Sequence, residues 1–134
     1  MRQNIDSGTK WEAFAGYSRA VRVGNQVFVS GTTATDGTGQ LVGPEDVYAQ
    51  TVYIIEKIER SLMQAGATLA DVVRTRIFLT DASRWEEAAR AHAKFFVDIR
   101  PANTLVEISG LVGPGYLVEI EADAIIGAGV QNEV

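Results

Sequence analysis

The chain has 134 residues, about nine tenths of a typical 150-residue domain, so we expect one domain spanning residues 1–134. Its 46% hydrophobic and 22% charged residues exclude a mainly disordered chain, and the absence of cysteine excludes disulfides, a thiolate nucleophile and cysteine-ligated metals. The 12 basic and 17 acidic side chains give a net charge of −5, which leaves no basic surface for a nucleic-acid partner.

The first predicted elements are strands. Residues 2–15 are polar and mixed, and they predict an irregular or edge segment. The runs Ala20–Val23 and Gln26–Ser30 are separated by Gly24-Asn25, which predicts a hairpin because glycine and asparagine tolerate a positive φ. Residues 31–44 carry four glycines without periodicity and predict a loop.

Two helices are predicted around a further strand. Pro44-Glu45-Asp46 predicts a helix start, and apolar residues at three- and four-residue spacing continue for about five turns to a cap at Gly66. The alternating, β-branched run Val72–Thr80 predicts a strand. Ser83–Glu86 matches a capping box, which predicts a second helix that ends near Asp98.

Thr104–Ser109 and Tyr116–Ile126 predict the last two strands, followed by a frayed tail from Gly127. The element order is then ββαβαββ, which is typical of an α+β domain with one mixed sheet and two helices on one face. The helices leave the other face of the sheet uncovered.

Apolar side chains are expected on both faces of this sheet. Val27 and Phe28 point to opposite faces, as do Leu105 and Val106, because side chains alternate along a strand. An apolar patch left uncovered on a soluble protein usually marks a partner surface. We therefore expect a homo-oligomer whose sheets pack inward.

Four titratable residues are candidates for chemistry. His92 is the single histidine and lies on the apolar stripe of a predicted helix, which favours a packed or interface imidazole and excludes a histidine pair or a multi-histidine metal site. Glu119, Glu121 and Asp123 share one strand face. That face is either solvated, or it lines a subunit cleft where desolvation raises the pKa of a glutamate toward the range of a general base.

Other classes of site and location are disfavoured. The glycine-rich loop lacks the lysine of a phosphate-binding loop, which argues against nucleotide hydrolysis. No apolar run approaches the roughly 18 to 20 residues of a membrane span, and the first residues lack the apolar stretch of a secretion signal. We expect a soluble, cytoplasmic protein with no membrane partner.

Several segments together resemble one known family in their order and spacing. They are Gly16–Ala20, Val27–Gly31, Arg76–Asp81, Arg100–Glu107 and Val118–Ala122. The pattern resembles the RidA/YjgF family, also called the reactive intermediate deaminase or L-PSP family. The resemblance implies a chorismate-mutase-like fold and a homotrimer with three clefts between subunits.

The resemblance also implies an activity. The best-understood members hydrolyse small enamines and imines to a keto acid and ammonia, without a metal or cofactor. By position, Glu119 corresponds to the glutamate that places the attacking water, and Tyr17 and Ser30-Gly31 correspond to residues that line the cleft. The chemistry is reasonable, since hydrolysis of a protonated imine needs orientation and a positioned water.

One family position differs in this chain. Where those members have an arginine that clamps the substrate carboxylate, this chain has Asn103 in the run Pro101-Ala102-Asn103-Thr104. A neutral amide does not reproduce a charged, two-pronged contact worth about 1.5 to 3 kcal/mol. Arg19, where the family usually has glutamine, is one candidate for a relocated cation; Arg100 is another, although a contact with helix carbonyls or a surface acid is the expectation for it.

The residues leave three functions open. The first is a hydrolase of the enamine or imine deaminase type whose substrate is not a simple imino acid, with Asn103 contacting some other group. The second is a non-catalytic trimer that binds a metabolite as a sensor or partner protein. The third is a ribonuclease, a label that some family members carry, which the acidic composition and single histidine disfavour.

Overall fold

A six-stranded mixed sheet organises the chain in the computed structural model, which describes residues 1–129. The strands are β1 (Arg2–Ile5), β2 (Ala20–Val23), β3 (Gln26–Thr32), β4 (Val72–Leu79), β5 (Ala102–Glu107) and β6 (Val118–Ile125). The helices are α1 (Lys10–Ala15), α2 (Val47–Gln64) and α3 (Trp85–Phe96). The strand order is β1-β2-β3-β6-β4-β5, with β4 and β5 parallel and the other neighbours antiparallel. The α+β class is thus confirmed.

The N-terminal segment is more regular than its sequence indicates. Residues 2–5 form the edge strand β1, which pairs with β2 from Arg2 opposite Val23 to Ile5 opposite Ala20. The six-residue helix α1 follows, and it is too short to show a helical period. The buried carboxylate of Glu12 holds this segment together by accepting hydrogen bonds from Ser7 and Thr9. The predicted order ββαβαββ therefore lacks one edge strand and one short helix.

The hairpin between β2 and β3 is confirmed, with Gly24 at φ 59° in its turn. The following helix α2 has the predicted five turns but begins at Val47 rather than at Pro44. Glu45 has φ 62°, which is incompatible with a helix, and the carboxylate of Asp46 accepts the N–H of Ala49 at 2.9 Å as the N-cap. The predicted start was therefore wrong by three residues.

The predicted capping box of the second helix was also wrong. The helix α3 begins at Trp85, and no side chain caps it. The carboxylate of Asp81 instead accepts the N–H of Ser83 at 3.0 Å and caps a single 3₁₀ turn over Ala82–Arg84. The helix ends at Phe96 rather than near Asp98.

The last two strands are not neighbours. Strand β5 forms the far edge beside β4, whereas β6 inserts between β3 and β4 at the centre of the sheet. Alternate β6 residues are buried against α2, and the large, fully buried side chains of this core include Ile54, Ile58, Leu62, Ile77 and Ile120. Residues 127–129 form a turn, and the rest of the predicted frayed tail, residues 130–134, lies outside the described residues.

The sheet face opposite the long helices, here called the open face, carries apolar and charged groups. Phe28 is 45% exposed and Val106 is 41% exposed. Between them, Arg76 pairs with Glu121 at 3.0 Å and with Asp123 at 3.3 Å. Within residues 1–129, no helix combines the length and the hydropathy needed to cross a bilayer.

Candidate active site

A β-bulge between β3 and β6 positions the candidate site. The register of the two strands shifts between Val29 and Thr32, so Ser30 and Gly31 lie in the irregularity. Gly31 lies directly against Glu119, because a Cβ at position 31 would be 2.7 Å from Oε2 and 2.9 Å from Cδ of that carboxylate. Only glycine leaves room for the carboxylate in this position.

The carboxyl group of Glu119 is partly removed from water. Its neighbours on β6, Val118 and Ile120, are fully buried on the helix side, which places Glu119 on the open face. Burial raises the pKa of Glu119, the attraction of Arg19 opposes this rise, and the nearby Glu121 adds to it. A carboxylate with a raised pKa binds a proton more readily, as a residue that takes a proton from water must.

Three further candidate residues lie beside this pair. Arg19 Nη2 donates to the carbonyl oxygen of Gly31 at 2.5 Å, and its guanidinium lies 5.8 Å from the centroid of the Tyr17 ring. The hydroxyl of Ser30 donates to the carbonyl of Ser18 at 2.7 Å, and the Ser30 N–H donates to the carbonyl of Arg19 at 3.0 Å. One protomer thus brings together Tyr17, Arg19, Ser30, Gly31 and Glu119.

Asn103 lies elsewhere in the protomer. It is exposed on β5, where it is in register with Thr75 of β4, whereas Glu119 of β6 is in register with Phe78. Asn103 Nδ2 donates to Thr75 Oγ1 at 2.9 Å, and this hydroxyl is hydrogen-bonded to Nε2 of His92 at 2.9 Å. Strand β4 lies between Asn103 and Glu119, and the network is on the helix side of the sheet whereas Glu119 is on the open face.

The imidazole of His92 is packed, as expected. It lies against the Phe96 ring with centroids 4.6 Å apart. Burial lowers the pKa of His92, which keeps the ring neutral at pH 7. The group beside Asn103 therefore supplies no positive charge.

The two candidate cations differ in placement. Arg19 lies next to Glu119, although its Nη2 is already engaged by the backbone. Arg100 is exposed at φ 57°, and within residues 1–129 its guanidinium forms neither the expected helix-carbonyl contact nor an ion pair. In the described part of the chain, Arg100 makes no ion pair with Glu119.

Two polar residues of interest were not predicted from the sequence. Thr75 is 1% exposed and joins Asn103 to His92; its signal is a hydroxyl at a core position of an apolar strand. Lys57 is partly buried on α2, which is unusual for a lysine. Among the described residues, no cluster of three or more histidine, aspartate or glutamate side chains is arranged to hold a metal.

Comparison with known proteins identifies the family. Residues 8–126 match the family model described as "Endoribonuclease L-PSP". The solved structure of Rv2704 from Mycobacterium tuberculosis, described as a member of the YjgF/YER057c/UK114 family, is 50% identical, covers 94% of this chain and 100% of its own, and has a TM-score of 0.86.

Two curated relatives are similar over most of their length. An uncharacterized protein of Streptomyces coelicolor is 34% identical over 126 residues, which is 94% of this chain and 93% of the relative. The 3-aminoacrylate deaminase RutC of Acinetobacter baylyi is 36% identical over 110 residues, which is 82% of this chain and 86% of the relative. The resemblance found in the sequence motifs is confirmed, and the chain belongs to the L-PSP family, which is also known as the YjgF or RidA family.

Proposed function

We propose that the protein hydrolyses the C–N bond of a small enamine or imine, with Glu119 placing the attacking water. The observation that carries this proposal is the packing of the partly buried Glu119 carboxylate against Gly31, next to Arg19 and Tyr17. Similarity to a 3-aminoacrylate deaminase supports the same reaction class. The name of that relative does not fix the substrate of this chain.

The proposed reaction needs only proton transfers. A protonated imine has an electrophilic carbon, and water adds to it while the Glu119 carboxylate accepts one proton from that water. The carboxyl group passes this proton to the nitrogen of the resulting carbinolamine. The C–N bond then breaks while the carbinolamine hydroxyl gives its proton back to the Glu119 carboxylate, which leaves a carbonyl compound and ammonia. No electron is gained or lost, so an acid-base residue and a bound substrate suffice.

The complete cleft requires a second protomer. We expect a homotrimer in which the open faces pack together and the β5 edge of one subunit approaches Glu119 of the next. Strand β5 supports this because most of its residues are exposed, including Asn103 and Val106. An exposed edge strand with an apolar side chain is normally covered in a native assembly.

The orientation of Asn103 indicates the class of group that it contacts. Its Nδ2 faces both the hydroxyl of Thr75 at 2.9 Å and the carbonyl oxygen of Thr75 at 3.4 Å. A flipped amide would place Oδ1 against that carbonyl, which is unfavourable for two acceptors. Oδ1 therefore points away from Thr75 as a free hydrogen-bond acceptor.

The free Oδ1 of Asn103 favours a substrate group that donates a hydrogen bond. An arginine at position 103 would donate to a carboxylate, whereas the Asn103 carbonyl accepts an N–H or O–H group and repels a carboxylate. The neutral His92 adds no positive charge to this network that would reverse the preference. We infer a substrate that carries an amide, amine or hydroxyl where simple imino acids carry a carboxylate.

The same observation favours one alternative function. A site that lacks the clamp still offers Tyr17, Ser30 and the Gly31 backbone for binding, so a non-catalytic trimer that senses a metabolite is the second candidate. In that case a ligand would raise the melting temperature without being consumed. Measuring turnover and the melting shift on the same compounds separates the two functions.

The deciding experiment compares wild type with Glu119→Gln. Ammonia release is followed with freshly generated 2-aminoacrylate and with neutral imines that carry an amide or hydroxyl. We expect wild type to accelerate release from the neutral compounds, and Glu119→Gln to lose about 100-fold or more of this rate. Glu56→Gln, an exposed change on α2, should keep it. If wild type released ammonia no faster than Glu119→Gln from any of these compounds, the proposed hydrolase activity would be disproved.

A further inference from the structure

A second concave surface lies beside Arg19. The N-terminal segment, the loop after β3 and one face of α2 enclose it, and its volume is about 260 Å³. Three cationic side chains line it: Arg19, Lys57 and Arg60. We call this surface the cation pocket. Neither Glu119 nor Gly31 lines it, so Arg19 is the residue that it shares with the candidate active site.

The spacing of α2 builds one wall of the pocket. Tyr53, Lys57 and Ser61 recur every four residues, and Arg60 lies three residues after Lys57, so all four share one helix face. The guanidinium of Arg60 is 5.9 Å from the centroid of the Tyr53 ring. This wall therefore presents two cations, a phenol and a hydroxyl to one small volume.

The three cations have no acidic partner. Lys57 Nζ donates to two backbone carbonyls, those of Thr33 at 2.8 Å and Thr35 at 2.9 Å, and one of its three N–H groups is left over. Arg19 Nε is buried and has no hydrogen-bond partner within residues 1–129. In the same part of the chain, none of the ion pairs involves Arg19, Lys57 or Arg60.

The nearby acids are occupied by their own loops. Asp36 accepts the backbone N–H groups of Thr38 and Gln40 at 2.8 and 3.0 Å. Asp6 accepts the N–H of Gly8 at 2.8 Å. The carboxylate of Glu12, as described above, is held by Ser7 and Thr9. Asp6 and Asp36 also line the pocket, but these contacts hold their carboxylates in their own loops, and within residues 1–129 neither forms an ion pair with the three cations.

The positive charge of Lys57 is destabilised by burial and by the neighbouring cations. Burial lowers the pKa of Lys57 to about 8, and repulsion from Arg19 and Arg60 contributes to this shift. Attraction from Asp36 and Glu12 offsets only part of it. A bound anion would supply the missing negative charge and stabilise all three cations at once.

We propose that the cation pocket binds the phosphate group of a small phosphorylated metabolite. The three cations outnumber the two lining carboxylates of Asp6 and Asp36, which favours an anion, and a phosphate offers more acceptor oxygens to these donors than a single carboxylate does. Its oxygens accept the free donors of Arg19, Lys57 and Arg60. The volume equals that of about nine water molecules at ~30 Å³ each, so a small organic portion fits beside the phosphate.

Calorimetric titration tests the proposal with inorganic phosphate and glycerol 3-phosphate as probes. We expect both to bind wild type, and both to bind Lys57→Gln and Arg60→Gln about tenfold or more weakly. Lys57→Arg should retain much of the affinity, because it keeps the charge. The control Lys94→Gln changes an exposed lysine on α3 by the same charge and should bind as wild type does. Arg60 is exposed, so Arg60→Gln tests the pocket without disturbing the core.

The pH dependence adds a second readout. Affinity should fall above pH about 8 in wild type, because Lys57 loses its proton there, and this fall should be absent in Lys57→Gln. No measurable binding of either probe, or equal affinity in wild type and the two glutamine variants, would overturn the proposal. Succinate that binds as tightly as phosphate would assign the pocket to dicarboxylates instead. None of these measurements involves turnover, so the outcome is independent of the proposed hydrolase activity.

Discussion

The Cα of Gly31 and the carboxylate of Glu119 occupy adjoining space, and a Cβ at position 31 would lie 2.7 Å from Oε2. The backbone of Gly31 is outside the left-handed region, so conformation alone would permit any residue there. The glycine is therefore required by the close approach of Glu119. This relationship links the bulge in β3 to the position of the proposed catalytic carboxylate.

Gly31→Ala should consequently damage activity more than folding. The added methyl group must displace the Glu119 carboxylate, and a misplacement near 1 Å can cost about 100-fold in rate. We expect kcat for ammonia release to fall by about that factor, with a smaller change in the melting temperature. Gly110→Ala is the matched control, because a Cβ there meets no atom within 4 Å. If Gly31→Ala retained full activity, Glu119 would not be the residue that places the water.

Glu119→Gln should raise the stability of the protein at neutral pH. Burial raises the folded-state pKa of Glu119 above its ordinary value of 4.5, so the contribution of this group is fully present below pH 4.5 and is lost as pH rises through the folded pKa. Glutamine removes that loss. Urea unfolding measured at pH 4 and at pH 7 gives the free energy of unfolding at each pH. We expect the decrease from pH 4 to pH 7 to be smaller in the variant than in wild type. An identical change in both proteins would contradict the raised pKa.

The sequence predicts the parts of the fold that depend on local periodicity. The β2–β3 hairpin, the length of α2 and the alternation of β4 all follow from turn chemistry or hydrophobic spacing. Helix boundaries were less accurate because competing caps were available. Asp46 caps α2 in place of the start at Pro44, and Asp81 caps the turn before α3 in place of Ser83.

The candidate site depends on contacts between distant segments, which local patterns do not contain. The resemblance selected Gly31 and Glu119 by position, but their mutual packing follows from the pairing of β3 with β6 across almost 90 residues. Likewise, Asn103 was recognised as a neutral residue, whereas its link to Thr75 and His92 depends on the parallel pairing of β5 with β4. No sequence pattern predicted that Glu119 and Asn103 lie on opposite faces of the sheet.

Asn103→Arg should shift substrate preference toward carboxylates. Arginine restores a donor pair in the proposed cleft, and a charge-assisted contact worth about 1.5 to 3 kcal/mol corresponds to about tenfold or more in kcat/KM. We expect this gain with 2-aminoacrylate and a loss with the neutral imines. Met63→Arg adds the same charge at an exposed position of α2, away from the open face, and should not produce the gain. An Asn103→Arg trimer with unchanged preference would show that position 103 does not contact substrate.

Phe28→Lys should dissociate the proposed homotrimer. Phe28 lies on the open face opposite Asp123, so lysine is tolerated within the protomer but is costly in an apolar interface between subunits. Sedimentation equilibrium should give three times the protomer mass for wild type and a lower mass for the variant. Met63→Lys, at a 63% exposed position on α2, should remain assembled. Wild type that sediments as a monomer would exclude the trimer and the cleft together.

His92→Gln should change how stability responds to acid. Burial lowers the folded-state pKa of His92 below its ordinary value of 6.5, so the unfolded chain binds protons more readily than the folded one as pH falls through 6.5. This group's contribution is fully present above that pH and is lost progressively below it. The amide of glutamine retains a hydrogen-bonding partner for Thr75 but does not titrate, although the contact with Phe96 is reduced. Free energies of unfolding at pH 7.5 and 5.5 should therefore differ less in the variant than in wild type, and an equal difference in both would show that His92 titrates normally.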